Sequence, residues 1–225
     1  MADQQPDTPQ RALIFAAGDL NDGPAVRAAL DSAPQAAIIA ADGGARLAER
    51  CGLWPDLIVG DLDSLGGDEA NRFAAQGATI ERVSPHKDET DLELALLAAA
   101  ERGATWMRVI GAVGSRLDQT LAAVHMLLMP QLAGRDARLV AGRQTLWVVG
   151  PGQHALDGAP GDTVSLIPLA GDARGIRTEA LEYPLRGETL VMGAARGVSN
   201  VMAADRAGVA LQAGLLVVVH TVGRA

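Results

Sequence analysis

The chain has 225 residues, 48 % hydrophobic and 20 % charged, which excludes a disordered polypeptide and is long enough for a core without staples. A single cysteine, Cys51, excludes an intrachain disulfide and fits a reducing cytosol. The net charge of −8 argues against non-specific nucleic-acid binding, and the longest apolar runs, "LALLAAA" and "LLVVVH", are too short to span a bilayer. No membrane or nucleic-acid partner is therefore expected, and the expected compartment is the cytoplasm.

The start, "MADQQPDTPQ", is polar with two prolines and reads as a flexible tail over residues 1–10. Short apolar runs then alternate with helical patterns. "RALIFAAG" reads as a strand and "GPAVRAALDSA" as a helix. "AAIIAADGG" is a strand ending at Asp42, and "ARLAERCG" a short helix closed by Gly52. "PDLIVGDLDS" reads as a strand, "GDEANRFAAQGA" as a helix and "TIERV" as a strand. "DETDLELALLAAAERGA" reads as a helix, "WMRVIGAVG" as a strand, and "RLDQTLAAVHMLLMP" as a helix ended by Pro130. This alternation implies a three-layer α/β domain with a mostly parallel sheet over residues 11–134.

From residue 135 the texture changes. "ARLVAG", "QTLWVVG", "GQHAL", "DTVSLIPL", "ETLVMGA", "GVALQAG" and "LLVVVHT" are short apolar or alternating runs separated by Gly, Pro and Asp. They read as an all-β domain over residues 135–225. The acid excess is uneven between the two parts, net −9 over residues 1–134 and +1 over the rest.

The acids fall at chosen places. Asp42 ends one strand, Asp61 and Asp63 end another, Asp91 begins a helix and Asp118 begins the next. The C-terminal ends of parallel strands share one edge, so Asp42, Asp61, Asp63 and Asp91 are expected to converge there. In an extended segment residues i and i+2 point the same way, which would let Asp61 and Asp63 face one ion. Carboxylates in one cleft repel, and Mg²⁺ relieves the repulsion while keeping positions for water and phosphate. Thr90 and Glu93 also match the T-x-x-E capping box, which would make Asp91 a first-turn acid. "GAVGSRLDQT" puts Gly111, Gly114 and Arg116 at a strand-to-helix junction, where backbone N–H groups and a guanidinium suit phosphate oxygens. Among 18 arginines there is one lysine, Lys87, a flexible point charge rather than a planar fork.

"ADGGA" (41–45), "PDLIVGDLDS" (55–64), "KDETDLELAL" (87–96), "GAVGSRLDQTLA" (111–122), "SLIPL" (165–169) and "ETLVMGAARGVSN" (188–200) occur in this order. That succession resembles the bacterial thiamine pyrophosphokinase family and covers about residues 11–222. The resemblance implies a nucleotide-binding α/β domain, a C-terminal β-sandwich that binds thiamine and makes a homodimer, and transfer of diphosphate from ATP to the hydroxyl of thiamine. By resemblance Asp42, Asp61, Asp63 and Asp91 would be ligands of Mg²⁺ and the substrate hydroxyl, with Asp61, Asp63 and Asp91 catalytic. Lys87 and Arg116 would contact phosphates with Thr90, Gly111 and Gly114, and Asp118 would support the nucleotide loop. Ser199 and Asn200 match the thiamine motif, and Tyr183 would add a ring there. The chain departs from the family at Ala112 and Ser115, where glycine is frequent, and at Ala123, where Asn is common. Two alternatives are a hydroxymethylpterin pyrophosphokinase with the same chemistry, and a non-catalytic nucleotide or thiamine sensor.

Overall fold

The computed structural model describes residues 10–225. The tail expected over residues 1–10 lies outside the described residues, except Gln10, which opens the first strand. By their internal contacts the chain divides into two units, residues 1–142 and 143–225.

The first unit is built on β1 (Gln10–Phe15), β2 (Ala36–Ala41), β3 (Leu57–Gly60), β4 (Thr79–Arg82), β5 (Ala104–Ile110) and β6 (Asp136–Ala141). They form a parallel sheet in the order β4-β3-β2-β1-β5-β6. The crossovers carry α1 (Pro24–Leu30), α2 (Gly44–Arg50), α3 (Gly67–Ala75), α4 (Asp91–Glu101) and α5 (Leu117–Met126). β2 and β3 read as near-continuous apolar runs because both faces are covered: Ile39, Ala40, Leu57 and Ile58 are fully buried. The chain steps outward from β1 to β4 and then returns past β1 to β5, so the strand order reverses between β1 and β5. Right-handed crossovers then send α4 to the sheet face opposite α1, α2 and α3.

The boundary expected at residue 134 is corrected. "ARLVA" is the last strand of the parallel sheet, not the first of the β domain: Ile110 pairs with Val140 and Trp106 with Asp136, in parallel. Arg108 fixes that pairing, with Nη2 on Asp136 Oδ2 at 2.8 Å and Nη1 on the Asp136 carbonyl at 2.9 Å. Burial pulls the Arg108 pKa down to about 10, against the upward pull of Asp136. A six-residue strand buried on both faces carries no periodicity that separates a parallel from an antiparallel partner. α5 also stops at Met126, earlier than the Pro130 stop expected; Pro130 instead opens a short 3₁₀ turn.

The second unit is antiparallel β structure: β7 (Gln144–Val149), β8 (Gly152–Asp157), β9 (Thr163–Glu179), β10 (Arg186–Leu190), β11 (Asn200–Val201), β12 (Arg206–Leu211) and β13 (Ala213–Thr221). β9 organises it. Its first half pairs with β13 and β11, and its second half with β12 and β10. The strand changes course at Ala170 (φ 60°) and Gly171 (φ 130°), which lets one strand serve two sheets. Val164, Leu166, Ile176, Leu216 and Val218 fill the core between them.

Asp162, 5 % exposed, fastens this unit. It accepts from the backbone N–H of Gly223 (2.6 Å) and Ala159 (2.9 Å) and pairs with His220 Nε2 (2.8 Å). Burial alone would raise its pKa, but the Gly223 N–H, His220 and the Ala159 N–H outweigh it and hold the carboxyl below its ordinary 3.8. A carboxyl with a lowered folded pKa contributes stability above its unfolded value and loses it as pH falls through the folded one. Asp162→Asn is expected to cost about 1–3 kcal/mol at neutral pH. The difference between parent and variant should shrink below pH 3.8. Urea unfolding at pH 7 and pH 3 checks both statements.

Candidate active site

The edge formed by the C-terminal ends of β1, β2, β3 and β5 carries a cleft of about 620 Å³. It lies at the reversal of strand order, where open parallel sheets take ligands. The loops after β1 and β5 meet there backbone to backbone. A Cβ on Gly18 would sit 2.2 Å from the Gly111 carbonyl oxygen, and one on Gly111 (φ 82°) would sit 2.5 Å from Leu47 Cδ2. Two glycines are therefore needed to close that floor.

Asp42, Asp61 and Asp91 come from three different connections, yet each offers an oxygen within 4.8 Å of the other two. Asp42 follows β2 in a left-handed conformation (φ 42°) and is only 2 % exposed. Its Oδ2 accepts from the Ser64 N–H at 3.0 Å and its Oδ1 from the Leu65 N–H at 3.2 Å. Asp42 thus ties the loop after β3 to the end of β2. Burial pushes its carboxyl up from the usual range; the Ser64 and Leu65 N–H groups oppose this and the Asp91 charge adds to it. Asp91 opens α4 behind the Thr90 cap, whose Oγ1 accepts from the Glu93 N–H at 3.2 Å as the capping box anticipates. Gly60 lets the three approach: a Cβ there would lie 2.9 Å from Asp42 Cβ and 3.0 Å from Asp91 Oδ1.

Asp63 stands apart. The segment after β3 is not extended: Leu62 has φ 65° with its side chain buried, and the Asp63 N–H donates back to Asp61 Oδ1 at 3.1 Å. The turn leaves Asp63 exposed, where it accepts from Ser64 Oγ at 3.1 Å, and Asp63 is not among the three carboxylates that meet; the extended backbone expected over Asp61 and Asp63 is corrected. Burying Leu62 outweighs the alternation assumed for an extended D-x-D.

Lys87, with 11 % of its side chain exposed, pairs with Asp91 and lines the cleft together with Thr90. Gly111, Gly114 and Arg116 line it from the other side. The Gly114 N–H donates to Thr120 Oγ1 at 3.3 Å, which in turn donates to the Arg116 carbonyl at 3.1 Å. Arg116 Nε donates to Asp118 Oδ1 at 2.9 Å, and this pair holds the exposed Asp118 at a pKa of about 2. Asp118 therefore stays ionised and orients Arg116 at the mouth.

The residues assigned to thiamine lie in the second unit. Asn200 Nδ2 donates to the Tyr183 carbonyl at 2.7 Å, and Asn200 Oδ1 accepts from the N–H of Tyr183 and Val201 at 3.0 and 2.9 Å. Ser199 adopts φ 61°, and its N–H donates to Ser165 Oγ at 3.0 Å. Tyr183 is 62 % exposed. Asn200 thus fixes the backbone that presents Tyr183.

Sequence reasoning passed over Gly18, Gly60 and Ser64. Gly18 and Gly60 each stand at a strand end beside the acids, and that position was the available signal. Nothing local in the sequence points to Ser64, whose contribution is a backbone N–H.

Three carboxylate oxygens from separate loops form a donor set suited to a hard divalent cation such as Mg²⁺. An α/β sheet with acids, a glycine turn and paired cationic side chains at its switch point belongs to the class of phosphoryl-transfer proteins, here followed by an antiparallel β unit. Comparison with known proteins narrows this class. Residues 31–139 match the description "Thiamin pyrophosphokinase, catalytic domain", and residues 153–216 match "Thiamin pyrophosphokinase, vitamin B1 binding domain". The thiamine pyrophosphokinase of Bacillus subtilis is 24 % identical over 171 residues, covering 76 % of this chain and 80 % of that protein. Its crystal structure superposes with a TM-score of 0.84 at 24 % identity, over 95 % of this chain and 99 % of the other. The thiamin pyrophosphokinase of Candida albicans superposes at 0.80 with 17 % identity, over 95 % of this chain and 89 % of that one. The chain belongs to the thiamin pyrophosphokinase family, and with it to the transferases that place a diphosphate on thiamine. Of the two acceptors weighed from the sequence, thiamine rather than a pterin alcohol is the one that fits these matches.

Gly60→Ala is expected to keep the fold and lose at least about tenfold in turnover. The added methyl forces Asp42 and Asp91 apart at a cost of about 1–3 kcal/mol. Parallel thermal melts and rate measurements check it; unchanged turnover would mean that the close approach of the carboxylates is unimportant.

Proposed function

We propose that the chain transfers the β,γ-diphosphate of ATP to the primary hydroxyl of thiamine and releases AMP, using Mg²⁺ held by Asp61 and Asp91 against Asp42. The observation that carries this reading is the meeting of those three carboxylates within 4.8 Å, two of which, Asp42 and Asp91, line a cleft that also holds a glycine turn, Lys87 and Arg116. When bound, Mg²⁺ would neutralise phosphate charge and lower the pKa of the attacking hydroxyl.

The rest of the work falls to the chain. The turn from Gly111 to Arg116 offers backbone N–H groups and a guanidinium to the triphosphate, with Asp118 aiming the guanidinium. Lys87 offers a mobile ammonium and Thr90 holds the first turn of α4. The leaving group is AMP, so nucleophilic attack is at Pβ, and the proton of the thiamine hydroxyl passes to a carboxylate of this edge. Asp61 and Asp91 qualify by position; Asp63 enters on the family resemblance alone. Tyr183, Ser199 and Asn200 are proposed to bind thiamine, Tyr183 through its ring. The resemblance likewise supports a homodimer. Among the described residues no helix is long and apolar enough to cross a membrane; a cytoplasmic enzyme is part of the proposal.

Purified protein incubated with ATP, thiamine and Mg²⁺ should yield AMP and thiamine diphosphate in equal amounts, and neither in the presence of EDTA. ADP with thiamine monophosphate would overturn the reading. Asp61→Asn should lower turnover by about a hundredfold or more, because it removes the negative charge of a ligand that acts on the reacting phosphate.

A further inference from the structure

Lys87 is the only lysine in the chain, and its ammonium lies in the cleft in an ion pair with Asp91, one of the three gathered carboxylates. A site built to hold a cation is thus partly satisfied by a cation of its own. The pair is largely shielded, with 11 % of the Lys87 side chain and 29 % of the Asp91 side chain exposed, so solvent screens it only in part. Lys87 sits at the end of a loop, four residues before Asp91, with a flexible stem that allows its charge to change partners; an arginine would lock onto the carboxylate through its planar fork. The phosphate-suited turn of Gly111, Gly114 and Arg116 borders the same cleft.

We propose that Lys87 is an internal counter-ion. With no nucleotide bound it holds Asp91 and opposes entry of a free divalent cation. When a triphosphate arrives, the ammonium transfers to phosphate and releases Asp91. The enzyme then takes its metal as the metal–nucleotide complex and not as the free ion. This rests on the reading that Asp42, Asp61 and Asp91 hold the metal. A lysine that merely stabilises α4 would give a different result: its removal would lower stability and leave metal affinity alone.

The test is Mn²⁺ binding to metal-stripped protein, followed by the electron paramagnetic resonance signal of free Mn²⁺. Parent, Lys87→Met and Lys87→Arg are compared, with and without α,β-methylene ATP, whose α–β linkage resists cleavage. Without nucleotide, Lys87→Met should bind Mn²⁺ about tenfold more tightly than the parent, since one like charge beside the site is gone. Lys87→Arg should stay within about threefold of the parent because it keeps the charge. With the analogue the order reverses, and Lys87→Met holds Mn²⁺ more weakly than the parent. If the methionine variant does not fold, Lys87→Gln takes its place with the same expectations. Equal or weaker Mn²⁺ binding by the neutral variants without nucleotide, in a protein whose parent takes up Mn²⁺ with the analogue, overturns the counter-ion role and leaves the metal reading standing. No uptake by the parent under either condition overturns both.

Discussion

Carboxylates held within 4.8 Å of one another repel, by about 3 kcal/mol for each ionised pair at an effective dielectric near ~20. Much of the first unit follows from keeping Asp42, Asp61 and Asp91 at that separation. The parallel sheet brings their loops to one edge, and Gly60 removes the atom that would wedge them apart. The N–H groups of Ser64 and Leu65 compensate Asp42, and the Lys87 ammonium compensates Asp91. Even so, Asp42 keeps a raised pKa, with burial as the main cause and the Asp91 charge adding to it. The compensation built into the chain is incomplete. The proposed divalent cation would relieve the repulsion that remains, and would tie the fold of this edge to the chemistry of phosphate transfer.

The two units solve different problems. In the first, strand ends that alternate with helices collect charge and backbone donors at a switch point, and the glycines there exist for close approach. In the second, one long strand bends once and joins two sheets around an aliphatic core. Its polar fastening at Asp162 is buried and fully hydrogen-bonded, whereas the Tyr183 ring stays exposed on a backbone held by Asn200. The proposed role of Tyr183 in holding thiamine would use that exposed aromatic surface.

Much of this was legible in the sequence. The alternation of apolar runs and helical periods gave the parallel sheet, because β2, β3 and β5 are bounded by turn residues and α4 carries a readable cap at Thr90. The placement of Asp42 and Asp61 after strands and of Asp91 at the start of α4 anticipated their meeting, though Asp63 was expected with them and stands outside the three. Three things were not legible. β6 looks like any short apolar strand, and only the Arg108–Asp136 contact and its pairing with β5 assign it to the first unit. Asp63 breaks the two-residue alternation because Leu62 takes a left-handed conformation to bury its side chain, a tertiary gain that no local pattern records. The clamp of Asp42 on Ser64 and Leu65 uses backbone N–H groups, which carry no mark in the identity of the residues that own them.

The central claim is that Asp61 and Asp91, set against Asp42, are the cation site of the transfer reaction. Crystals grown with Mn²⁺ and α,β-methylene ATP would test it through the anomalous scattering of manganese. The account predicts a peak bounded by the carboxylates of Asp61 and Asp91 and by the phosphates of the analogue. A manganese peak elsewhere, with those carboxylates still paired only to protein groups, would contradict it.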